Sequence, residues 1–385
     1  WLMDIMIIAF TPLTNFIFRG AVGRLFYKMI DSLLWGLVWF YEQLGLVKYT
    51  TDLSTTHIAR ARVLWEEAKK RGIKMEGAVF SGRYSDLYRA WINGKMIRFN
   101  GLPRPEYAEN SNLFALDDKA FFKQQLQTAG IPTPNGGCFT NLTEATKEFN
   151  KLIKPVIIKP RLGSRGRHTT THIYTTEQLA KAFKIAKQIC YWIVMEEHLF
   201  GDVYRGTVID GKLVGVLGGS PPRLVGDGSS TISELIKQKN LNKPAGIKNI
   251  QISQSTEEFL KRQNLTLNSI LNNEQIIDLT EKIGVNYGGS SREVTDITHP
   301  EIKSWLAKAA ALVGDPLLGF DFIIPNITKS PNEQRFGIIE CNGLPFINLH
   351  HDPQEGTPNN VAKWVWNMIE KSVNEKNNTN PKSLK

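Results

Sequence analysis

Asp321 interrupts "LLGFDFII", an apolar run that predicts a strand over Gly319–Ile324. A carboxylate inside such a strand is costly unless it is paired or bound to a cation. A buried strand here would therefore need positive charge delivered to it. A second predicted strand, Phe336–Cys341 in "FGIIECNGLPFINLH", repeats the pattern. Glu340 and Asn342 lie two apart, so both project to one face, while Cys341 between them turns to the other and reads as core. Two carboxylates and an amide oxygen are hard ligands suited to Mg²⁺, which keeps waters and takes phosphate oxygens. Taken alone, the same residues equally fit an edge strand facing solvent.

A cationic counterpart lies earlier, in "KPVIIKPRLGSRGRHTT" from Lys154 to Thr170. Apolar positions lead into Lys159, so its ammonium emerges at a strand end. Gly163 and Gly166 let the following loop fold close over a ligand. Its backbone N–H groups suit phosphate oxygens, and Arg161, Arg165 and Arg167 add charge. By itself a basic loop is more often simply solvated. No G-x-x-x-x-G-K-[ST] occurs, and no G-x-G-x-x-G follows a strand, so P-loop and dinucleotide-fold readings lose their main support.

Strands and helices alternate through the middle of the chain. Strands are predicted at Pro155–Lys159 and Trp192–Glu196, and helices at Thr176–Gln188 and Thr231–Lys239. Hairpins are expected in "YRGTVIDGKLVGVLGG" and around Asn93-Gly94. Asp117 precedes a helix in "DKAFFKQQLQTAGIPTP", and His57–Gly72 reads as a charged helix. The polar stretch Lys239–Asn286 reads as helical, and the final helix as Asn359–Glu370. This is an α/β (α+β) pattern with hairpins rather than a simple βαβ wind. The expected units are an apolar segment 1–50, a domain 51–115, a domain 116–372 dividing near residue 200, and a disordered tail 373–385.

The net charge of +10 favours anionic partners. No long basic run interleaves with aromatics, so nucleic acid is not expected. Three scattered cysteines, Cys138, Cys190 and Cys341, form neither a disulfide framework nor a zinc set and fit a reducing, cytoplasmic setting. The first fifty residues are too interrupted for a spanning helix. Within "GRLFYKMIDSLLWGLVWFYEQLGL", Arg24, Lys28 and Asp31 share one helical face, and Leu25, Met29, Leu33 and Leu37 lie elsewhere. That fits a packing helix, or a dimerisation helix in a homo-oligomer. It also fits an interfacial membrane helix with Trp35, Trp39 and Tyr41 at the headgroups.

The order of a lysine, a glycine-rich grip and a late Asp, Glu and Asn cluster resembles that of ATP-grasp enzymes. It resembles in particular the ATP-grasp part of cyanophycin synthetases and similar amino-acid ligases, over about residues 110 to 370. The matching stretches are "LDDKAFFKQQLQTAGIPTP", "VIIKPRLGSRGRH", "IVMEEHLFGDVYRGTVIDGKLVGV", "LVGDGSSTISELI", "GGSSREVTDITHPE", "LLGFDFII" and "IIECNGLPFINLHHDPQEG".

The resemblance implies an ATP-grasp fold, two α+β subdomains gripping ATP, and an ATP-dependent carboxylate–amine ligase working through an acyl phosphate. It implies ATP phosphates at Lys119 and Lys159, with the loop Gly163, Ser164, Arg165 and Gly166 closing over them. It implies adenine at a hinge of Glu196, Glu197 and Leu199, with Asp202 nearby. One or two Mg²⁺ ions, or Mn²⁺ in their place, would be held by Asp321, Glu340 and Asn342. Arg205 and Arg292 would face the phosphates or acyl group. Small carboxylate and amine substrates follow, as do two rivals: a D-alanine ligase-like or glutathione-synthetase-like enzyme, and a membrane-attached scaffold with an inactive core. The sequence departs from the family at Val203, where a ribose-holding acid is usual, at Gly319, where D-alanine ligases carry arginine, and at His168, which replaces a loop glycine.

Overall fold

Two-residue turns with left-handed backbone fold much of the chain into antiparallel hairpins. Asn93 and Gly94 adopt φ of 50° and 79°, and Asp210 and Gly211 adopt 48° and 74°, as tight hairpin turns require. A third such turn, Ser81-Gly82, was not expected from the sequence. The computed structural model describes residues 21–105, 107–108, 118–162, 168–244, 247–280 and 283–379.

Numbered in chain order, the first unit comprises α1 (Ala21–Gln43), β1 (Val47–Thr50), α2 (Ala59–Lys70), β2 (Lys74–Phe80), β3 (Arg83–Ile92) and β4 (Lys95–Asn100). Its four strands form one antiparallel sheet in chain order. Next come α3 (Lys119–Thr128), β5 (Gly136–Phe139), α4 (Leu142–Phe149), β6 (Val156–Pro160), β7 (Thr170–Ile173), α5 (Thr176–Lys187) and β8 (Ile193–Glu197). These strands pair in the order β5-β8-β6-β7, with α4 and α5 packed on one face.

β9 (Asp202–Ile209) and β10 (Lys212–Gly219) begin the largest sheet. β11 (Arg223–Val225), α6 (Ile232–Leu241), α7 (Gln254–Arg262) and β12 (Ile276–Asp278) form a small insert with its own core around Ile232, Leu260 and Leu271. The Lys239–Asn286 stretch is therefore mostly irregular, not helical. Its apolar residues are too sparse for a helical stripe and instead pack singly onto α6. β13 (Ser291–Glu293), α8 (Pro300–Val313), β14 (Leu317–Ile324) and β15 (Gly337–Asn342) complete a sheet ordered β13-β10-β9-β14-β15.

α9 (Asn348–His351) and α10 (Val361–Thr379) follow. α10 continues past the expected end at Glu370 because Val373 still packs in the core, so the predicted disordered tail is helical as far as Thr379. That core also crosses the expected boundary near residue 115: Leu64 and Met75 share it with Ile209, Leu317 and Trp366. Asp118, not Asp117, caps α3 by accepting from Phe121 N at 3.1 Å; Asp117 lies outside the described residues. No helix among the described residues is long and apolar enough to cross a membrane.

At the start of α10, His351 Nε2 accepts a hydrogen bond from Ala362 N at 3.1 Å. Burial, and then the neighbouring His350, push its pKa from 6.5 down to about 4, so it stays neutral in the fold. Between pH 6.5 and about 4 the unfolded chain takes up a proton that the native state refuses. Stability is therefore lost as pH falls through that window. Thermal melts should show wild type losing more stability than His351→Gln between those two pH values. Parallel curves for the two proteins would refute the assignment.

Candidate functional site

Strand register builds the site. Glu293, Leu217, Arg205, Asp321 and Glu340 are successive partners across β13, β10, β9, β14 and β15, so they share one face of the large sheet. The opposite face carries Tyr204, Phe320, Phe322 and Cys341 into the core under α3 and α8. Cys341 is thus packing, as expected.

Arg205 donates from Nε and Nη2 to the two oxygens of Asp321, at 2.6 and 2.7 Å. Burial opposes its charge, but Asp321 outweighs burial and the guanidinium stays protonated. The Phe346 ring lies 5.5 Å from its centre. Glu340 pairs with Lys119 Nζ at 3.4 Å. Asn342, two residues on, sits opposite Gly319 on the same face. A Cβ at Gly319 would lie 3.2 Å from Pro345 Cβ and 3.9 Å from Arg205 Cδ. Pro345 therefore covers the space in which a side chain at Gly319 would stand. Among the described residues no cluster of three or more His, Cys, Asp or Glu is disposed to hold a metal. The candidate set remains two carboxylates and an amide.

The second half of the site is in the four-stranded sheet. Ile157 faces Glu196, and Lys159 faces Val194, so the Lys159 and Glu196 side chains share the face away from α4 and α5. Lys159 Nζ lies 2.6 Å from Glu196 Oε2, and Lys123 Nζ of α3 lies 3.2 Å from Oε1. Glu196 is only 3% exposed. Burial opposes its charge, but Lys159 and Lys123 outweigh burial and hold the carboxyl below its ordinary range. Burial pulls the Lys123 ammonium down, more than Glu196 restores.

Lys123 and Lys119 are four residues apart on α3. One helical turn, about 6 Å of rise, thus joins the Lys159–Glu196 cluster to the Asp321–Glu340 cluster. Lys123 was missed from sequence, although its i, i+4 spacing from Lys119 was visible.

Other expected site residues fall elsewhere. The Glu196 carboxylate is committed to the lysines. The Glu197 carboxylate accepts from Asn135 Nδ2, Ile153 N and Arg335 Nη2, at 3.2, 3.0 and 2.6 Å, and so ties the two subdomains together. Leu199 is buried against Pro134 and Gly337, lining a cleft of about 190 Å³ with Arg335 and Phe336. Arg292 does not join Arg205: its register partner Gly218 places it on the Tyr204 face, 3.9 Å from Asp202. Asp202 alternates onto that face too, so neither residue meets the Arg205–Asp321 row. Arg161, expected near phosphate, is bound through Nε and Nη2 to Asp118. Gly163, Ser164, Arg165, Gly166 and Arg167 lie outside the described residues.

A buried relay was also not anticipated. His350 is held between Glu293 Oε2 at 2.6 Å and Thr207 Oγ1 at 2.8 Å. Its ring lies flat on Gly215, whose Cβ would stand 2.5 Å from it. Arg104 binds Asp315 and the Gly343 carbonyl. Together these contacts fix the loop that lays Pro345 and Phe346 beside Gly319 and Arg205.

Over 315 residues the chain is 31% identical to a cyanophycin synthetase of Trichormus variabilis, a match taking in 79% of this chain and 34% of that protein. It is 32% identical over 264 residues to a bifunctional glutathione biosynthesis protein of Clostridium perfringens, covering 66% of this chain and 34% of that one. The chain thus spans about a third of the length of these curated relatives. The crystal structure of a bifunctional glutathione synthetase from Pasteurella multocida shares the fold, with a TM-score of 0.59 at 24% identity over 82% of this chain and 43% of that one. No protein-family model matches the chain.

Removing Glu196 would leave two buried ammonium groups facing each other. Glu196→Ala should lower stability by about 3–5 kcal/mol in urea unfolding. Adding Lys123→Met should restore part of that loss. A fully stable Glu196→Ala protein would show that the cluster is not buried as described.

Proposed function

This chain is a member of the ATP-grasp superfamily, and from that premise we propose that it is an ATP-dependent carboxylate–amine ligase acting on an amino acid or peptide. The observation that carries the reading is the single turn of α3, whose Lys119 and Lys123 bridge the two charged clusters.

In this reaction a substrate carboxylate oxygen attacks the γ-phosphorus of ATP. The bond to the β,γ-bridging oxygen breaks, giving an acyl phosphate and ADP. An amine then attacks the acyl carbon, phosphate leaves, and the amine loses a proton. Each step brings anions or developing negative charge together, so the protein acts by positioning and neutralising.

Asp321, Glu340 and Asn342 fit one or two Mg²⁺ ions by their all-oxygen donor chemistry, and a bound ion would supply Lewis-acid neutralisation of the β- and γ-phosphates. Arg205 orients Asp321 through Nε and Nη2, which leaves Nη1 for a phosphoryl oxygen. Lys159 and Lys119 would meet the phosphates, with Lys123 a positioning residue that holds Glu196 and Lys159 in place. With the Glu196 carboxylate occupied by lysines, and with Glu197 N and His198 N donating to the Asn135 and Pro155 carbonyls, adenine would be read by the remaining backbone groups of Glu197–Leu199. Gly163–Gly166 would close over the phosphates and exclude water, which otherwise hydrolyses the acyl phosphate. Gly319, with Pro345 packed over it where D-alanine ligases carry an arginine, speaks against a D-alanine ligase pocket; a glutathione-synthetase-like substrate pair remains compatible.

The test is phosphate release across a matrix of amino acids and dipeptides, with mass spectrometry of products. Amine-dependent phosphate release with an amide product is expected; its complete absence would favour an inactive scaffold. Asp321→Asn and Glu340→Gln should each lower turnover by orders of magnitude, on the scale of several kcal/mol of transition-state charge stabilisation. Near-normal turnover in both would sink the site assignment.

The metal site also makes a binding prediction. Asp321, Glu340, Arg205 and Lys119 sum to zero charge, so the chain alone has little pull on a divalent cation. Mn²⁺ titration followed by electron paramagnetic resonance should show binding at least about tenfold tighter with nucleotide present than without. Equal affinity in both conditions would mean the ion is held elsewhere.

A further inference from the structure

α1 leaves an apolar side exposed. Its packed side carries Trp35 and Val38, which lie against Val47, Ala78 and Leu87 of the first sheet. Taking about 100° per residue, Lys28, Asp31 and Glu42 fall within about 60° of one another in the same sector as Trp35, with Asp31 and Glu42 half-buried and Lys28 exposed. Glu42 is tied down there by Arg89 at 3.1 Å. The outward side is a stripe of Leu25, Met29, Leu33, Leu37 and Phe40, 70%, 58%, 64%, 46% and 50% exposed. No charged residue lies in that arc. Leu44 and Leu46 extend it beyond the helix end and are also exposed. Trp35, expected at a membrane interface, is instead core, whereas Trp39 and Tyr41 are exposed. A water-facing helix normally shows the reverse arrangement.

The net charge of the unit that carries this face selects its partner. Residues 1–105 hold fifteen Lys and Arg against eight Asp and Glu, seven of the chain's ten net positive charges in little more than a quarter of its length. A second copy would bring the same excess of positive charge against itself. An anionic lipid surface accepts both the apolar stripe and the net positive charge of this unit. We infer that α1 is an interfacial anchor that lies on anionic membrane, with the Leu25–Phe40 stripe at the acyl boundary. The inference is independent of the reaction the chain catalyses.

The test is flotation of the full chain with phosphatidylcholine vesicles containing phosphatidylglycerol, and with phosphatidylcholine alone. Wild type should float with the anionic vesicles and at least about tenfold less with neutral ones. The double variant Leu33→Asp, Leu37→Asp should lose at least about tenfold in binding with an unchanged melting temperature, because both side chains already face outward. Failure of wild type to float with anionic vesicles would overturn the inference. So would a wild-type dimer that the double variant converts to monomer, which would make a second copy the occupant. Undiminished flotation of the double variant, lost instead on deleting residues 1–20, would equally overturn it by moving the anchor off α1.

Discussion

Glu196 is a carboxylate almost sealed from water, and it stays ionised because Lys159 and Lys123 hold one oxygen each. Burying a single ion is prohibitive, and burying three is feasible only when their charges interlock. The site depends on this cluster because its three members come from three elements: β6, β8 and α3. Holding Glu196 correctly fixes α3 against the four-stranded sheet. Fixing α3 sets Lys119 over Glu340, on the edge strand of the other sheet. A local electrostatic requirement thus becomes a constraint between subdomains, reinforced on the far side by Glu197 and Arg335.

The large sheet solves the complementary problem. Asp321 needed a cation, and strand order supplies it: β9 lies beside β14, so Arg205 stands directly opposite. The loop after Asn342 then walls this row. It is pinned by Arg104 from the first unit and by His350, which rests on Gly215 between Glu293 and Thr207. A side chain at Gly215 would displace the ring, so the relay depends on glycine there. The first unit is accordingly more than an appendage. Its core is continuous with β9, β14 and α10, and it positions the same loop that lies beside the candidate metal ligands.

Much of this was legible in the sequence. Hairpins declared themselves through Asn93-Gly94 and through the apolar runs around Asp210-Gly211. The helices expected at Thr176–Gln188 and Thr231–Lys239 are present, and the structure opens them with capping boxes at Thr175 and Thr231. Asp321, Glu340 and Asn342 stood out because polar groups in apolar strands demand an explanation, and they do share a face. Arg292 misled because proximity to a motif says nothing about which face a residue occupies; one register step separates it from the Arg205 row. The Lys239–Asn286 stretch misled because polarity without period suits irregular backbone as well as helix.

What the sequence determined by itself was therefore local: alternation, turn chemistry, caps and the presence of charges that could not be left unpaired. Those follow from interactions between residues close in the chain, or from the bare cost of desolvating an ion. What only the tertiary structure decided was pairing. Asp321 takes Arg205, Glu340 takes Lys119, and Glu196 takes two lysines, across separations of 116, 221, 73 and 37 residues. No periodicity encodes such partners. They are chosen by strand order and by which helix crosses which sheet edge, and the same choice leaves the apolar side of α1 facing outward.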